Sequence, residues 1–126
     1  MTVHPTSPFA EHGALARGAF AVGVLVSLAV LFTPASDVPS APPGVDKLVH
    51  LSLFAALALT GRWAGVRRGA LAAVLVLYAA LSELLQSLEV LSRSTSVADW
   101  LADVAGVLLG LLAWHLLARR TPSSPR

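Results

Sequence analysis

The chain has no cysteine, which excludes disulfides and any metal site built on thiolates. Charge is scarce as well. Asp, Glu, Lys and Arg make up 13% of the 126 residues, about half the roughly 25% share of a water-soluble domain. Aromatic residues reach only 6%, and no basic run carries interleaved aromatics, so a nucleic-acid surface is not expected. The net charge of +2 comes from nine Lys and Arg against seven Asp and Glu, and this excess reads as loop topology around a bilayer. What fills the chain is apolar: 56% is hydrophobic and the mean hydropathy is +0.73. These residues, chiefly Ala, Leu and Val, arrive in blocks, the pattern of a chain whose solvent is lipid.

The blocks predict an all-α integral membrane bundle of four transmembrane helices, at about 14–32, 46–63, 70–88 and 97–118. The first is apolar apart from Arg17 and Ser27, and Thr33-Pro34 stops it. At about 1.5 Å per residue it nearly matches a hydrocarbon core of roughly 30 Å. It is longer than the apolar core of a signal peptide, and no small-x-small cleavage site follows closely, so it reads as an uncleaved span. Pro34, Pro39, Pro42 and Pro43 with Gly44 make the next segment an extended loop outside the hydrocarbon, because proline cannot donate a backbone hydrogen bond. The second block is the shortest and least clean, with His50 near its start and Arg62 near its end. A basic turn through Arg67 and Arg68 leads to the third, and Ser92 to Ser96 lead to the fourth, which Arg119-Arg120 ends. The flanks, 1–13 and 119–126, read as cytoplasmic tails, the first one disordered.

Orientation follows from the basic residues. With both termini inside, Arg17, Arg62, Arg67, Arg68, Arg119, Arg120 and Arg126 are cytoplasmic, against only Lys47 and Arg93 outside. Ionisable residues in or beside a span are costly and are functional candidates by default. Under this orientation they share one depth, the outer leaflet: Asp46, Lys47 and His50 open helix two, Glu83, Gln86 and Glu89 close helix three with Arg93 beyond, and Asp99 and Asp103 open helix four. At 100° per residue, Tyr78, Ser82, Glu83, Gln86 and Glu89 fall within an arc of about 140°, and Asp99, Asp103, Gly106 and Gly110 within about 60°. Asp46 and His50, four apart, share a face. The Gly106-x-x-x-Gly110 pair lets a neighbouring backbone approach closely.

The ordered set Asp46-Lys47-x-x-His50, Phe54, Glu83-x-x-Gln86, Arg93, Asp99 and Gly106-x-x-x-Gly110 resembles the VanZ-like family of small bacterial membrane proteins, over roughly residues 45–112. The resemblance implies a multi-pass protein of the bacterial cytoplasmic membrane. The founding member is associated with teicoplanin resistance, without a settled biochemical activity. One departure is Asp103, where that family often has Asn.

Structural roles compete for several of these residues. Asp46 suits the N-cap of helix two. Ser96 with Asp99 resembles a capping box, and Lys47 can snorkel to the head groups. Trp114 and His115 read as interface-belt residues. Glu83 is the hardest to explain structurally, since an ionised carboxylate at that depth requires a partner such as His50, Lys47 or Arg93.

Two functional readings follow for the cluster of Asp46, Lys47, His50, Glu83, Gln86, Arg93, Asp99 and Asp103. In one it is a ligand or lipid-headgroup site, or a polar lock holding a bundle that binds a glycopeptide, a lipid or a partner protein. In the other it is a membrane-embedded enzyme acting by acid/base chemistry on a phospholipid or lipid-linked cell-wall precursor, with His50, Glu83 and Asp99 as catalytic candidates and Lys47 and Arg93 as an anion clamp. A small transporter subunit ranks third, since four spans are few for alternating access without an oligomer. No cofactor is expected, and no ligand spacing along the chain is diagnostic of a metal.

Overall fold

In a computed structural model of the chain, residues 9–88 and 96–120 are described. The described residues are all helical, with α1 at Ala14–Leu31, α2 at Val45–Trp63, α3 at Arg68–Gln86 and α4 at Val97–Arg120. A single 3-10 turn, Ala35–Asp37, interrupts the Pro-rich connection between α1 and α2.

The boundaries follow from local chemistry. α1 ends three residues before Pro34, and the backbone N–H of Phe32 closes it on Leu28. α2 starts at Gly44, whose φ of 89° only glycine adopts without strain. Asp46 is therefore not the N-cap expected of it; it lies in the first turn, where its charge meets the positive end of the helix dipole. α2 ends in a Schellman motif: the N–H of Gly65, at φ 95°, bonds Arg62 O at 3.0 Å, and the N–H of Val66 bonds Gly61 O at 2.9 Å. At the start of α4 the Ser96 hydroxyl accepts the N–H of Asp99 at 3.0 Å, the serine half of the expected capping box. Phe9 to Gly13, within the stretch expected to be a tail, meets the end of α2: His12 N–H bonds Trp63 O at 3.1 Å and the Trp63 indole bonds Phe9 O at 3.0 Å.

Three helices, α1, α3 and α4, are long and apolar enough to cross a membrane. α2 is as long as α3, at 19 residues, but Asp46, Lys47, His50 and Arg62 lower its apolarity. It packs against each of the other three, and its contact with α4 is the most extensive in the bundle. The least apolar helix is thus the innermost.

The α2–α4 seam has a sequence cause. The buried residues of α2 are His50, Phe54, Leu57, Ala58 and Gly61, and those of α4 are Asp99, Asp103, Gly106, Val107 and Gly110. Both sets repeat the same spacing of four, three, one and three, a single helical stripe. A Cβ on Gly106 would collide with the Leu51 carbonyl oxygen, and one on Gly110 with that of Ala55, so glycine sets how closely the two backbones pack.

Below the polar end, Leu31, Phe54, Leu57, Ala58, Leu71, Leu75, Ala79 and Val107 form one apolar core. The outer surface is apolar as well, with Leu25 65%, Leu77 60%, Leu84 65% and Leu108 62% exposed. Polar side chains turn inward instead: Ser27, His50, Ser82, Glu83, Gln86, Asp99 and Asp103 are all buried. Apolar outside and polar inside is the arrangement that lipid favours and water penalises.

Candidate functional site

The inward polar residues gather at one end of the bundle because α2 and α4 begin there and α3 ends there. Asp103 lies six residues into α4, about 9 Å along its axis. His50 is five residues into α2, and Glu83 is three residues from the end of α3.

His50 forms the centre. Its Nδ1 stands 2.8 Å from Asp103 Oδ1, a buried hydrogen bond between α2 and α4, and 3.9 Å from Glu83 Oε1 on α3. His50 is 3% exposed, Glu83 7% and Asp103 0%. One ligating atom from each of these three side chains lies within 4.8 Å of the other two. Toward the rim, Lys47 Nζ, on a half-exposed side chain, bonds Asp99 Oδ1 at 3.0 Å. That pair again joins α2 to α4, so Lys47 is engaged rather than free to meet a ligand.

The cluster is not saturated. Among the described residues, both carboxylate oxygens of Glu83, Oδ2 of Asp103 and Nε1 of Trp100 are buried without a hydrogen-bond partner. Most buried polar groups in proteins are paired, so four unpaired atoms in one place require a physical account. Expulsion of a carboxylate oxygen from water without a partner costs on the order of 1–3 kcal/mol, and more when it is charged.

Two cavities flank the cluster. One of about 420 Å³ lies between α3 and α4, lined by Ala80, Glu83, Leu84, Ser87, Ser96, Val97 and Trp100. The other, of about 590 Å³, lies under the Pro-rich connection and reaches Asp37, Asp46 and His50. The first is thus walled by Glu83 and Trp100 from facing helices, whose unpaired atoms lie buried behind its surface, and the second reaches His50.

The residues grouped by sequence divide accordingly. His50, Glu83, Asp99, Asp103 and Lys47 come together. Asp46 is exposed and lines the loop cavity. Gln86 shares the arc but has a structural task, donating its amide to Leu31 O at 2.7 Å and so satisfying a carbonyl in the last turn of α1. Tyr78 likewise ties α3 to α1 through Ser27 Oγ at 2.9 Å. Gly106 and Gly110 do the packing expected of them. Glu89 and Arg93 lie outside the described residues. Trp100 was not legible as a site residue, since nothing in its place after Asp99 marks it as lining a cavity with Glu83. Comparison of the chain with protein-family models, with curated proteins and with solved structures found no match.

Proposed function

We propose that the chain is a VanZ-like integral membrane protein of the bacterial cytoplasmic membrane, and that the cluster around His50, Glu83 and Asp103 is a binding site for the head group of an envelope lipid or lipid-linked cell-wall precursor. All four helices span the membrane in this reading, with both termini inside and the cluster in the outer leaflet. The charges of α2 support its span, since Lys47 and Arg62 bracket its apolar stretch at about 22 Å along the axis and can snorkel to the two interfaces. Its neighbours on three sides shield what is polar between them. Glycopeptide resistance of the teicoplanin type is the phenotype suggested by the resemblance.

The observation that carries the reading is the unsaturation of the cluster. A polar lock stabilises a bundle when every member is hydrogen-bonded, and a half-satisfied network is worse than an apolar core. Among the described residues neither buried carboxylate oxygen of Glu83 has a close hydrogen-bond partner, and Glu83 lines a cavity together with Trp100. We read these acceptors as places for a donor or a cation supplied by a ligand, and the cavity between α3 and α4 gives a lipid head a sideways path toward them from the bilayer. A second reading, an acid/base enzyme, draws on the His50–Asp103 hydrogen bond of 2.8 Å, because a carboxylate that fixes an imidazole is how a general base is oriented.

Native mass spectrometry of the protein extracted from bacterial membranes tests the site. Lipid adducts are expected on the wild type and are expected to be lost in Glu83→Gln and His50→Gln at unchanged melting temperature. Equal adducts in all three proteins would refute the reading.

A further inference from the structure

The geometry points to a divalent transition-metal ion held by His50, Glu83 and Asp103 between α2, α3 and α4. This inference rests on the cluster being a ligand site rather than a lock, and it names what fills the unpaired acceptors.

The first argument is distance. Ligand atoms stand about 2.0–2.2 Å from a bound first-row ion, so two ligands of one ion are about 3.0 Å apart at an octahedral corner and about 3.4 Å apart in a tetrahedron. His50 Nδ1 is 2.8 Å from Asp103 Oδ1 and 3.9 Å from Glu83 Oε1. These two values bracket the required spacing, and all three ligand atoms lie within 4.8 Å of one another, so side-chain adjustments of up to roughly 1.5 Å reach it. On binding, the ion takes the Nδ1 lone pair and the imidazole carries its proton on Nε2, a change of tautomer only.

The second argument is independent of spacing. Glu83, 7% exposed, and Asp103, 0% exposed, present three carboxylate oxygens with no partner among the described residues. Lys47, the cation beside the cluster among the described residues, is bound to Asp99 at 3.0 Å. Two buried carboxylates with a neutral imidazole are balanced by a charge of two, so a divalent ion leaves the helix interior neutral where a monovalent ion would not. The nitrogen donor favours Zn²⁺, Mn²⁺, Fe²⁺ or Co²⁺ over Ca²⁺ and Mg²⁺, which prefer oxygen alone.

Three protein ligands leave the ion at least one open position, the mark of a site that acts on something rather than one that only holds the fold. The cavity along Glu83, Ser87 and Trp100 gives a ligand a path toward the ion through its Glu83 wall. An anionic head-group oxygen bound to the ion there accepts a hydrogen bond from the Trp100 indole. The metal thus turns a patch of acceptors, which would repel a phosphate, into one that takes it.

The test uses the full chain in detergent, stripped with EDTA and then titrated separately with Zn²⁺, Mn²⁺ and Co²⁺. One equivalent bound per chain is expected after desalting, with a Co²⁺ ligand-field spectrum and a rise in melting temperature. Glu83→Gln is expected to weaken binding roughly tenfold or more, since even groups that only support ligands cost 10–100-fold when lost. Gly18→Ala, with nothing within 4 Å of the added Cβ, is expected to bind as the wild type does. Substoichiometric metal on the wild type, or equal affinity in Glu83→Gln, would overturn the inference, and neither result requires a fragile variant. Lipid adducts that persist on EDTA-stripped protein would sink the metal alone, leaving the head-group site. Metal bound by a chain without adducts would have the opposite meaning.

Discussion

Replacement of Gly106 by alanine probes the contact that brings the site together. Its Cβ would collide with the Leu51 carbonyl oxygen and stand 3.1 Å from the Ala55 nitrogen. Both are backbone atoms of α2, so no rotamer change relieves the clash. Carbon needs roughly 3.5 Å from such neighbours, and the α2–α4 separation must grow by about 1 Å. Overpacking of this kind costs about 1–3 kcal/mol, while the helix propensity of alanine returns roughly 0.5–1 kcal/mol. The net loss is therefore about 0–2.5 kcal/mol, and a central loss of about 1 kcal/mol lowers the melting temperature by roughly 3–6 °C in a chain of this size. The same displacement would lengthen the 2.8 Å His50–Asp103 bond beyond hydrogen-bonding range. Gly18→Ala is the control, because nothing lies within 4 Å of its added Cβ, and it is expected to melt at or slightly above the wild type. Circular dichroism melts in one detergent suffice. If Gly106→Ala melts with Gly18→Ala, the close approach of α2 and α4 does not hold.

Two further outcomes follow from the same geometry. A double-mutant cycle with Lys47→Gln and Asp99→Asn is expected to give a weak coupling that falls with added salt, because the lysine is 48% exposed; a strong coupling that salt leaves unchanged would contradict it. In the proposed topology, a cysteine introduced by Ser40→Cys into this cysteine-free chain should react with an impermeant maleimide on intact cells, and labelling only after lysis would reverse the orientation.

Much of the architecture was legible because apolar runs and prolines mark helices strongly. The predicted start of α4 coincides with the observed one, and α2 begins one residue before its expected position. α3 runs two residues earlier at both ends, with Arg67 as its N-cap, so that Arg68 and Gly69 of the expected basic turn form its first turn. The shared stripe of Asp99, Asp103, Gly106 and Gly110 was visible in helical periodicity, and it is buried. Pairings across helices were not legible. Periodicity says which way a side chain faces, not which partner it meets, so Lys47 could be offered to Glu83 or to a ligand when it binds Asp99. Asp103, a departure within the resemblance, is the direct partner of His50. A ligand set drawn from three helices has no characteristic spacing along the chain, which is why His50, Glu83 and Asp103 gave no metal pattern.

The central claim is that Glu83 serves a ligand and not the bundle, and the stability of Glu83→Leu tests it most directly. Replacing a buried, unsatisfied carboxylate by an apolar side chain of similar volume is often neutral or stabilises by about 1–4 kcal/mol, so the ligand-free variant is expected to melt at or above the ligand-free wild type while losing its lipid adducts. A melting temperature far below the wild type, as when one partner of a buried polar network is removed, would show that Glu83 holds the bundle together and would contradict the account.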